Sequence, residues 1–492
     1  MHALGVYRQI GNVSKLYDQL HLDGFNLEKF IMSVEQDVQQ TIDQLYDVAE
    51  KAADEFSSLN LEQVEKIVKA VAEAAAEKAE FYAEWTVRET GYGNVPAKTA
   101  KNQATSIGLR NTYNIADFVE PTIDFDKKII TIPKPAGVVL APMPCTNPIM
   151  TVNFKIVANL IARNSVILCP HPAAKECCTH AANFLADVAE AAGAPKGCIQ
   201  IVQDPSISMI NKMMQDPRTS LIMATGGPAL VNAAYSSGNP AVGVGAANVA
   251  AYVDATANIE KAGADVVLGN GFDHSLPCTC ESVVLAERAI ADELKQAMIA
   301  GNGWFVEGED KQKLRDFLFP GGVNNPAALG KSPQWIGEQV GITIPENVQS
   351  IVMEINHIGY DEPVSKEKLF PVLGFFVMEG GVDVAIKNTM AMLNMMGKGH
   401  SAVVHTTDPI VVAKYTAALP VCRVAVNTPG ILGSAGLTTN LPETASLGTG
   451  FFGGSSVPEN IGPKHLVQYT RVAYDMDPSI QMGDIEAALA KL

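Results

Sequence analysis

No uninterrupted apolar run in this 492-residue chain is long enough to cross a bilayer: Val166–Cys169 and Val249–Val253 are only a few residues each, and nothing longer replaces them. A membrane span is therefore not expected. Basic residues are also few. Lys and Arg number 36 against 53 Asp and Glu, a net charge of −17, which disfavours an extended surface for nucleic acid or anionic membrane. Anionic ligands would need local help from helix N-termini or single basic side chains. The eight cysteines are scattered, Cys177 and Cys178 adjacent, and no secretory signal is read at the start. This usage points to free thiols in a reducing, cytoplasmic compartment. His, Cys, Asp and Glu are not grouped with metal-ligand spacing, so no metal is expected.

What is present suffices for two or three domains, with 47% of residues hydrophobic. Val6, Ile10, Val13, Leu16, Tyr17 and Leu20 share one helical face, which His21-Leu-Asp-Gly24-Phe-Asn interrupts. A second helical region, rich in Ala, Glu and Lys, is expected from Leu27 through Ala79. Thr122–Thr131 alternates as a hairpin does, with Asp126-Lys127 near its turn. From Gly137 the period changes. Short apolar strands are expected at Val138–Ala141, Ser165–Cys169, Ile199–Val202, Leu221–Ala224 and Val249–Asp254. Helical patterns at Ile149–Arg163, Ala174–Ala191 and Ala229–Tyr235 separate several of them. Such alternation implies an α/β fold with a doubly wound parallel sheet, whose ligands sit at the carboxyl ends of the strands. A nucleotide site is expected between Leu140 and Ala250.

The glycine motifs differ in weight. Gly243-Val-Gly245-Ala-Ala-Asn248 lacks the third glycine of the dinucleotide fingerprint, and Gly448-Thr-Gly450-Phe-Phe-Gly453 lacks its strand-to-helix context, so both read as turns. Thr225-Gly226-Gly227 is better placed. It follows a strand and opens a helix whose free N–H groups can receive a pyrophosphate, although a plain strand-to-helix turn has the same letters. Cys278, after Phe272-Asp273-His-Ser-Leu-Pro277 and just before an apolar β-branched run, reads as a nucleophile at the mouth of a strand. Cys280 follows two residues later; in a strand both thiols would point to the same side.

Several strings then occur in order: Thr146-Asn147-Pro148, His171-Pro172 with Lys175, Ala224-Thr-Gly-Gly227, Phe272-Asp273 with Cys278, Lys366-Glu367-Lys368 with Pro371-Val372, and Gly397-Lys-Gly399-His400. Ser446-Leu-Gly448 through Pro458-Glu-Asn460 completes the series. From about Thr41 to about Asp475 the chain resembles the CoA-acylating aldehyde dehydrogenases, including the first half of the bifunctional aldehyde-alcohol dehydrogenases. The resemblance implies an aldehyde dehydrogenase-like fold: a Rossmann-type nucleotide-binding domain, an α/β catalytic domain and an oligomerisation segment. The expected division is an N-terminal extension at 1–40 and a nucleotide-binding domain at 41–264 containing the hairpin 122–133. A catalytic domain at 265–445 and a return to the first domain with an oligomerisation segment at 446–492 complete it.

The same resemblance implies roles. Cys278 adds to the aldehyde carbonyl, Asn147 and the Cys278 backbone N–H receive the oxyanion, and Glu367 binds the nicotinamide ribose. Thr225, Gly226 and Gly227 meet the pyrophosphate, and His171 stands where hydrolytic relatives carry a lysine near the adenosine ribose. His400 matches a family motif but could simply satisfy a loop. Hydrolytic relatives also carry a glutamate that activates water, whereas Val242-Gly-Val244-Gly-Ala-Ala-Asn248 offers no carboxylate. CoA, a better nucleophile than water, is thus the expected acyl acceptor. NAD is the expected cofactor, with NADP left open because no acidic ribose partner stands at the usual spacing.

The expected substrate is a short aldehyde such as acetaldehyde; succinate semialdehyde and sulfoacetaldehyde also suit the chemistry. An acyl-phosphate reductase and a non-catalytic nucleotide-binding scaffold are the rival readings. A homodimer or larger oligomer is implied, and the N-terminal extension resembles helices that direct some relatives into bacterial microcompartments. No following alcohol dehydrogenase domain is read, so no second reduction to alcohol is expected.

Overall fold

The computed structural model describes residues 27–490 of the chain, which divides into two compact units between Val48 and Ala49. The amphipathic stretch Val6–Leu20 and the break after it lie outside the described residues. The described part of the first unit is helical, the beginning of Leu27–Ser57.

In the second unit, the helical region expected through Ala79 is interrupted after Ser57 and resumes beyond Asn60. The Asn60 Oδ1 accepts from the Gln63 N–H and the Gln63 Oε1 accepts from the Asn60 N–H, each at 3.0 Å, forming a reciprocal cap that restarts the chain as Leu61–Glu77. That helix buries Val64, Ile67, Val68, Val71, Ala72 and Ala75, spaced three and four apart along one face. The face packs on helices Pro148–Ile161 and Lys175–Ala192, which cover the first sheet.

Strands β1 (Thr122–Asp124) and β2 (Ile129–Pro135) form the expected antiparallel hairpin. Its turn is held by Asp124, whose carboxylate accepts from the Lys127 N–H at 2.9 Å and from the Lys127 ammonium at 2.8 Å. Next come β3 (Val138–Pro142), β4 (Ser165–Cys169), β5 (Ile199–Ile201), β6 (Leu221–Ala224) and β7 (Ala241–Gly243). They make a five-stranded parallel sheet in the order β5-β4-β3-β6-β7. Winding runs outward from β3 to β5, then restarts on the other side at β6. The crevice between β3 and β6 is the topological switch point, where this architecture places ligands.

β8 (Val249–Val253) departs from expectation. It leaves the first sheet and pairs with β9 (Glu281–Glu287) in a second one. With β10 (Gly303–Phe305), β11 (Ser350–Ile355), β12 (Val372–Met378), β13 (Gly399–His405) and β14 (Val421–Val426), these form a seven-stranded parallel sheet in the order β10-β11-β12-β9-β8-β13-β14. The chain therefore crosses between sheets at Val244–Asn248, upstream of the expected boundary at 264. An apolar run reports burial on both faces but carries no record of its pairing partner. The last strand, β15 (Val467–Ala473), pairs antiparallel with β2 to complete a three-stranded sheet. Ile461 and Leu466 just before it, and Val467 at its start, pack into the core of the first sheet.

The start of β13 is laid down by glycine. Gly397 and Gly399 have φ of +97° and +81°, and a side chain on Gly399 would overlap the Thr449 carbonyl oxygen. Gly399→Ala should therefore lower the unfolding free energy by about 2 kcal/mol or more in chemical denaturation, because both the φ and the space are lost. An unchanged denaturation midpoint would mean that this strand start can shift freely.

Candidate active site

A cleft of about 660 Å³ opens at the carboxyl ends of β3, β4 and β6 and faces the loop ahead of β9. Cys278, Asn147, His171, Thr225, Gly226, Gly227 and Glu367 all line it. Residues read separately along the sequence thus line one cleft.

Cys278 sits in a turn, since β9 begins only at Glu281; the Cys280 N–H closes that turn on the Pro277 carbonyl at 3.1 Å. The strand alternation expected to align Cys278 with Cys280 does not apply. Cys280 is buried, 3.9 Å from the Phe272 carbonyl, with its thiol pushed well up by burial, whereas Cys278 is partly exposed to the cleft. Ahead of the turn, Asp273, His274 and Ser275 all take left-handed φ of 48°, 54° and 63°. Three successive non-glycine residues in that region are strained and must be held by their surroundings.

The Cys278 Sγ lies 3.2 Å from the His400 Nε2, and the His400 Nδ1 lies 2.9 Å from the Ser401 Oγ. His400 is fully buried at the start of β13, and burial, with the Arg423 guanidinium adding to it, pushes the imidazole down to about 3. The ring is therefore neutral. It can accept a hydrogen bond from the thiol or donate one to the thiolate according to which nitrogen carries hydrogen. This contact goes beyond the loop-satisfying role open to His400 in the sequence. Burial pushes the Cys278 thiol up to about 12; the Glu367 carboxylate acts in the same direction and Arg423 opposes. The thiolate accordingly needs a positive partner in the cleft.

Glu367 follows the turn Pro363–Ser365, and burial pushes its carboxyl up to about 7 against a backbone hydrogen bond from Ala247 and the charge of Lys368. Lys368 turns inward and donates to the carbonyls of Ser282, Val364 and Lys366 at 2.8–3.0 Å. Lys366-Glu367-Lys368 is thus no simple solvated run.

Asn147 precedes Pro148 at the head of helix Pro148–Ile161 without capping it. Its Oδ1 accepts from the Lys101 ammonium and its Nδ2 donates to the Thr146 Oγ1 at 3.3 Å. Thr225-Gly226-Gly227 joins β6 to helix Pro228–Tyr235, whose N-terminal N–H groups face the cleft end of the sheet. Open space surrounds the Gly227 Cα, and the Thr225 Oγ1 lies 3.4 Å from the Ser446 Oγ. A free helix N-terminus, an uncrowded glycine and a carboxylate for ribose hydroxyls make this wall fit a dinucleotide. His171 uses its Nδ1 to accept from the Ala173 N–H at 3.1 Å, and partial burial keeps the ring below its ordinary pKa and neutral.

Other residues were not readable from local pattern. Lys98, Lys101 and Asp273 form a buried ion cluster beside Asn147, linking positions more than 170 apart. Their i, i+3 spacing on one helix was the only local signal. Glu443 lines the cleft with its Oε2 buried and unpartnered. Arg423 donates to the carbonyls of His400 (3.1 Å) and Gly448 (2.6 Å), bracing β13 rather than offering itself to a substrate. Glu367 and Glu443 are the cleft's carboxylates, and none comes from Val242–Asn248. Among the described residues no helix is long and apolar enough to cross a membrane, and no group of three or more His, Cys, Asp or Glu could hold a metal.

A thiol lining a cleft at a dinucleotide-type switch point between two parallel sheets is an arrangement that suits a cysteine-dependent dehydrogenase. The family model described as the aldehyde dehydrogenase family matches residues 25–303, and the chain belongs to that family. It is 36% identical over 462 residues to aldehyde-alcohol dehydrogenase 2 of Entamoeba histolytica, covering 89% of this chain and 52% of that protein. The chain thus spans about half the length of the first such relatives. It is 32% identical to the succinate-semialdehyde dehydrogenase (acetylating) of Clostridium kluyveri, covering 88% of this chain and 96% of that one. The crystal structure of an acetylating aldehyde dehydrogenase from Geobacillus thermoglucosidasius superposes with a TM-score of 0.87 at 34% identity, covering 91% of this chain and 99% of that one. A propionaldehyde dehydrogenase from Rhodopseudomonas palustris, solved with bound CoA and an acylated cysteine, gives 0.81 at 27% identity over 88% and 97%.

Because Glu367 holds the thiol up, Glu367→Gln should speed alkylation of Cys278 by iodoacetamide at every pH between about 7 and 10, read by mass spectrometry of the Cys278 peptide. An unchanged profile would mean that the carboxylate does not act on the thiol.

Proposed function

We propose that this chain is a CoA-acylating aldehyde dehydrogenase that reversibly oxidises a short, uncharged aldehyde with NAD and CoA to acyl-CoA and NADH. The observation that carries the reading is that Cys278 and Asn147 line one cleft in which Val242–Asn248 supplies no carboxylate. The division into a nucleotide-binding half and a catalytic half carrying Cys278 is part of the proposal.

The Cys278 thiolate attacks the aldehyde carbon, and the carbonyl oxygen becomes an oxyanion held by the Asn147 Nδ2 and the Cys278 backbone N–H. When bound, the nicotinamide supplies the hydride acceptor and a positive charge near the thiol. Glu367 holds the ribose side and the Gly226-Gly227 helix start holds the phosphates. With the hydride gone from the former aldehyde carbon, a thioester to Cys278 remains. The CoA thiolate attacks that carbonyl carbon, the same oxyanion site is used again, and Cys278 leaves as thiolate. Water has no cleft base at Val242–Asn248 to activate it, so hydrolysis lags.

The preference for an uncharged aldehyde rests on the cleft's charges. Lys101, its one lining lysine, is already held by Asp273 and Asn147, while Glu367 and Glu443 add carboxylates to the lining. Succinate semialdehyde and sulfoacetaldehyde would bring a like charge into that space. A homodimer or larger oligomer in the cytoplasm is proposed as well, with the sheet β1-β2-β15 and the C-terminal segment in its interface. The amphipathic spacing of Val6–Leu20 raises a targeting role in a bacterial microcompartment. A variant lacking residues 1–24 that still co-purified with shell assemblies would refute it.

NADH formation from an aldehyde panel should require CoA, fall by about 10³-fold or more in Cys278→Ala, and favour acetaldehyde over succinate semialdehyde by about tenfold in kcat/KM. Turnover without CoA would mean hydrolysis by an unrecognised base, and phosphate-dependent turnover would mean an acyl-phosphate reductase. Nucleotide binding without turnover would favour a scaffold.

A further inference from the structure

Three segments distant in sequence meet at one carboxylate. Asp273, fully buried, accepts from the Asn94 backbone N–H at 2.9 Å, from the Lys98 ammonium at 3.1 Å and from the Lys101 ammonium. Lys98 and Lys101 are themselves only 3% and 5% exposed. Two ammonium groups on one carboxylate leave a positive charge unbalanced in a region of low dielectric. Lys98 spends a further donor on the Thr146 carbonyl at 3.1 Å, while Lys101 spends one on the Oδ1 of Asn147 and lines the cleft.

We infer that Lys101 is the positioning residue of the oxyanion site, locking the Asn147 amide so that its Nδ2 edge is the one offered to the substrate oxygen. An ammonium has donors and no acceptor, so it can face only the oxygen of an amide. A flipped Asn147 would set its NH₂ against Lys101 and turn Oδ1 towards the developing negative charge, reversing the sign of the interaction. The helix Val95–Gln103 does nothing else in the cleft that would call for a buried lysine there. Asp273 fixes Lys101 in turn, and Asp273 belongs to the same loop as Cys278. Nucleophile and oxyanion donor are thereby referred to a single anchor.

The inference rests on Asn147 serving as the oxyanion donor, and a double-mutant cycle separates the two. The rate constant of the first NADH burst is measured in the full chain for Asn147→Ala, Lys101→Met and the pair. Asn147→Ala is expected to lose about 10²-fold or more, Lys101→Met about 10-fold or more, and the pair no more than Asn147→Ala alone. KM for NAD and the fluorescence titration of NADH should stay within about twofold, which a general loss of folding would not allow. Losses that multiply, or a Lys101→Met burst at the native rate, overturn the inference. Asn147→Ala at the native rate overturns the oxyanion reading instead. If Lys101→Met is insoluble, Lys101→Gln, of similar length but uncharged, enters the same cycle with the same expected loss of about 10-fold, and a native burst rate in it overturns the inference equally.

Discussion

A single buried carboxylate, Asp273, is the constraint on which the site depends. It draws together the helix Val95–Gln103, the loop ahead of helix Pro148–Ile161 through Lys98 and Thr146, and the loop that carries Cys278. Charges this deep are expensive to desolvate, so the cluster persists only because each partner is also hydrogen-bonded and the geometry is fixed on all sides. Removing the carboxylate would leave two ammonium groups facing each other in the interior, which explains why the cluster is a unit rather than a sum of pairs. The first sheet contributes the crevice and the second contributes the thiol loop. The register between donor and nucleophile is set at this point.

Much of the frame was legible because it obeys local rules. Ser165–Cys169 and Leu221–Ala224 emerge with the same bounds in sequence and structure, being short apolar runs bracketed by turn residues and buried on every side. The hairpin at Thr122–Thr131 was legible from its alternation. What escaped depends on partners remote in sequence. Nothing in Val249–Val253 says that it pairs with β9 and β13 instead of β6. The helical region read from Leu27 through Ala79 is interrupted, and the reciprocal bond of Asn60 with Gln63 starts a new helix at Leu61.

The site shows the same split. Cys278 and the Thr225–Gly227 turn could be singled out from the residues themselves and Asn147 and Glu367 through the family resemblance, and they do line one cleft. Their electrostatic setting could not be. The contact of His400 with Cys278, the inward turn of Lys368 and the cluster around Asp273 all bridge segments that meet only in the folded chain. Arg423 braces the carbonyls of His400 and Gly448, a contact between segments that its charge alone does not reveal.

The left-handed run Asp273–Ser275 has a bearing on how the molecule fails when warmed. Each of its residues costs on the order of 1–3 kcal/mol relative to an ordinary conformation, and that strain is opposed mainly by the ion cluster and by the His274 Nδ1 contact with the Gly330 carbonyl at 3.0 Å. The two sheets, by contrast, carry no comparable tension in their ladders. Local opening of the thiol loop is therefore cheaper than global melting. Heat should extinguish catalysis while the circular dichroism of the helices and sheets is still native, so that inactivation and denaturation are two separate events.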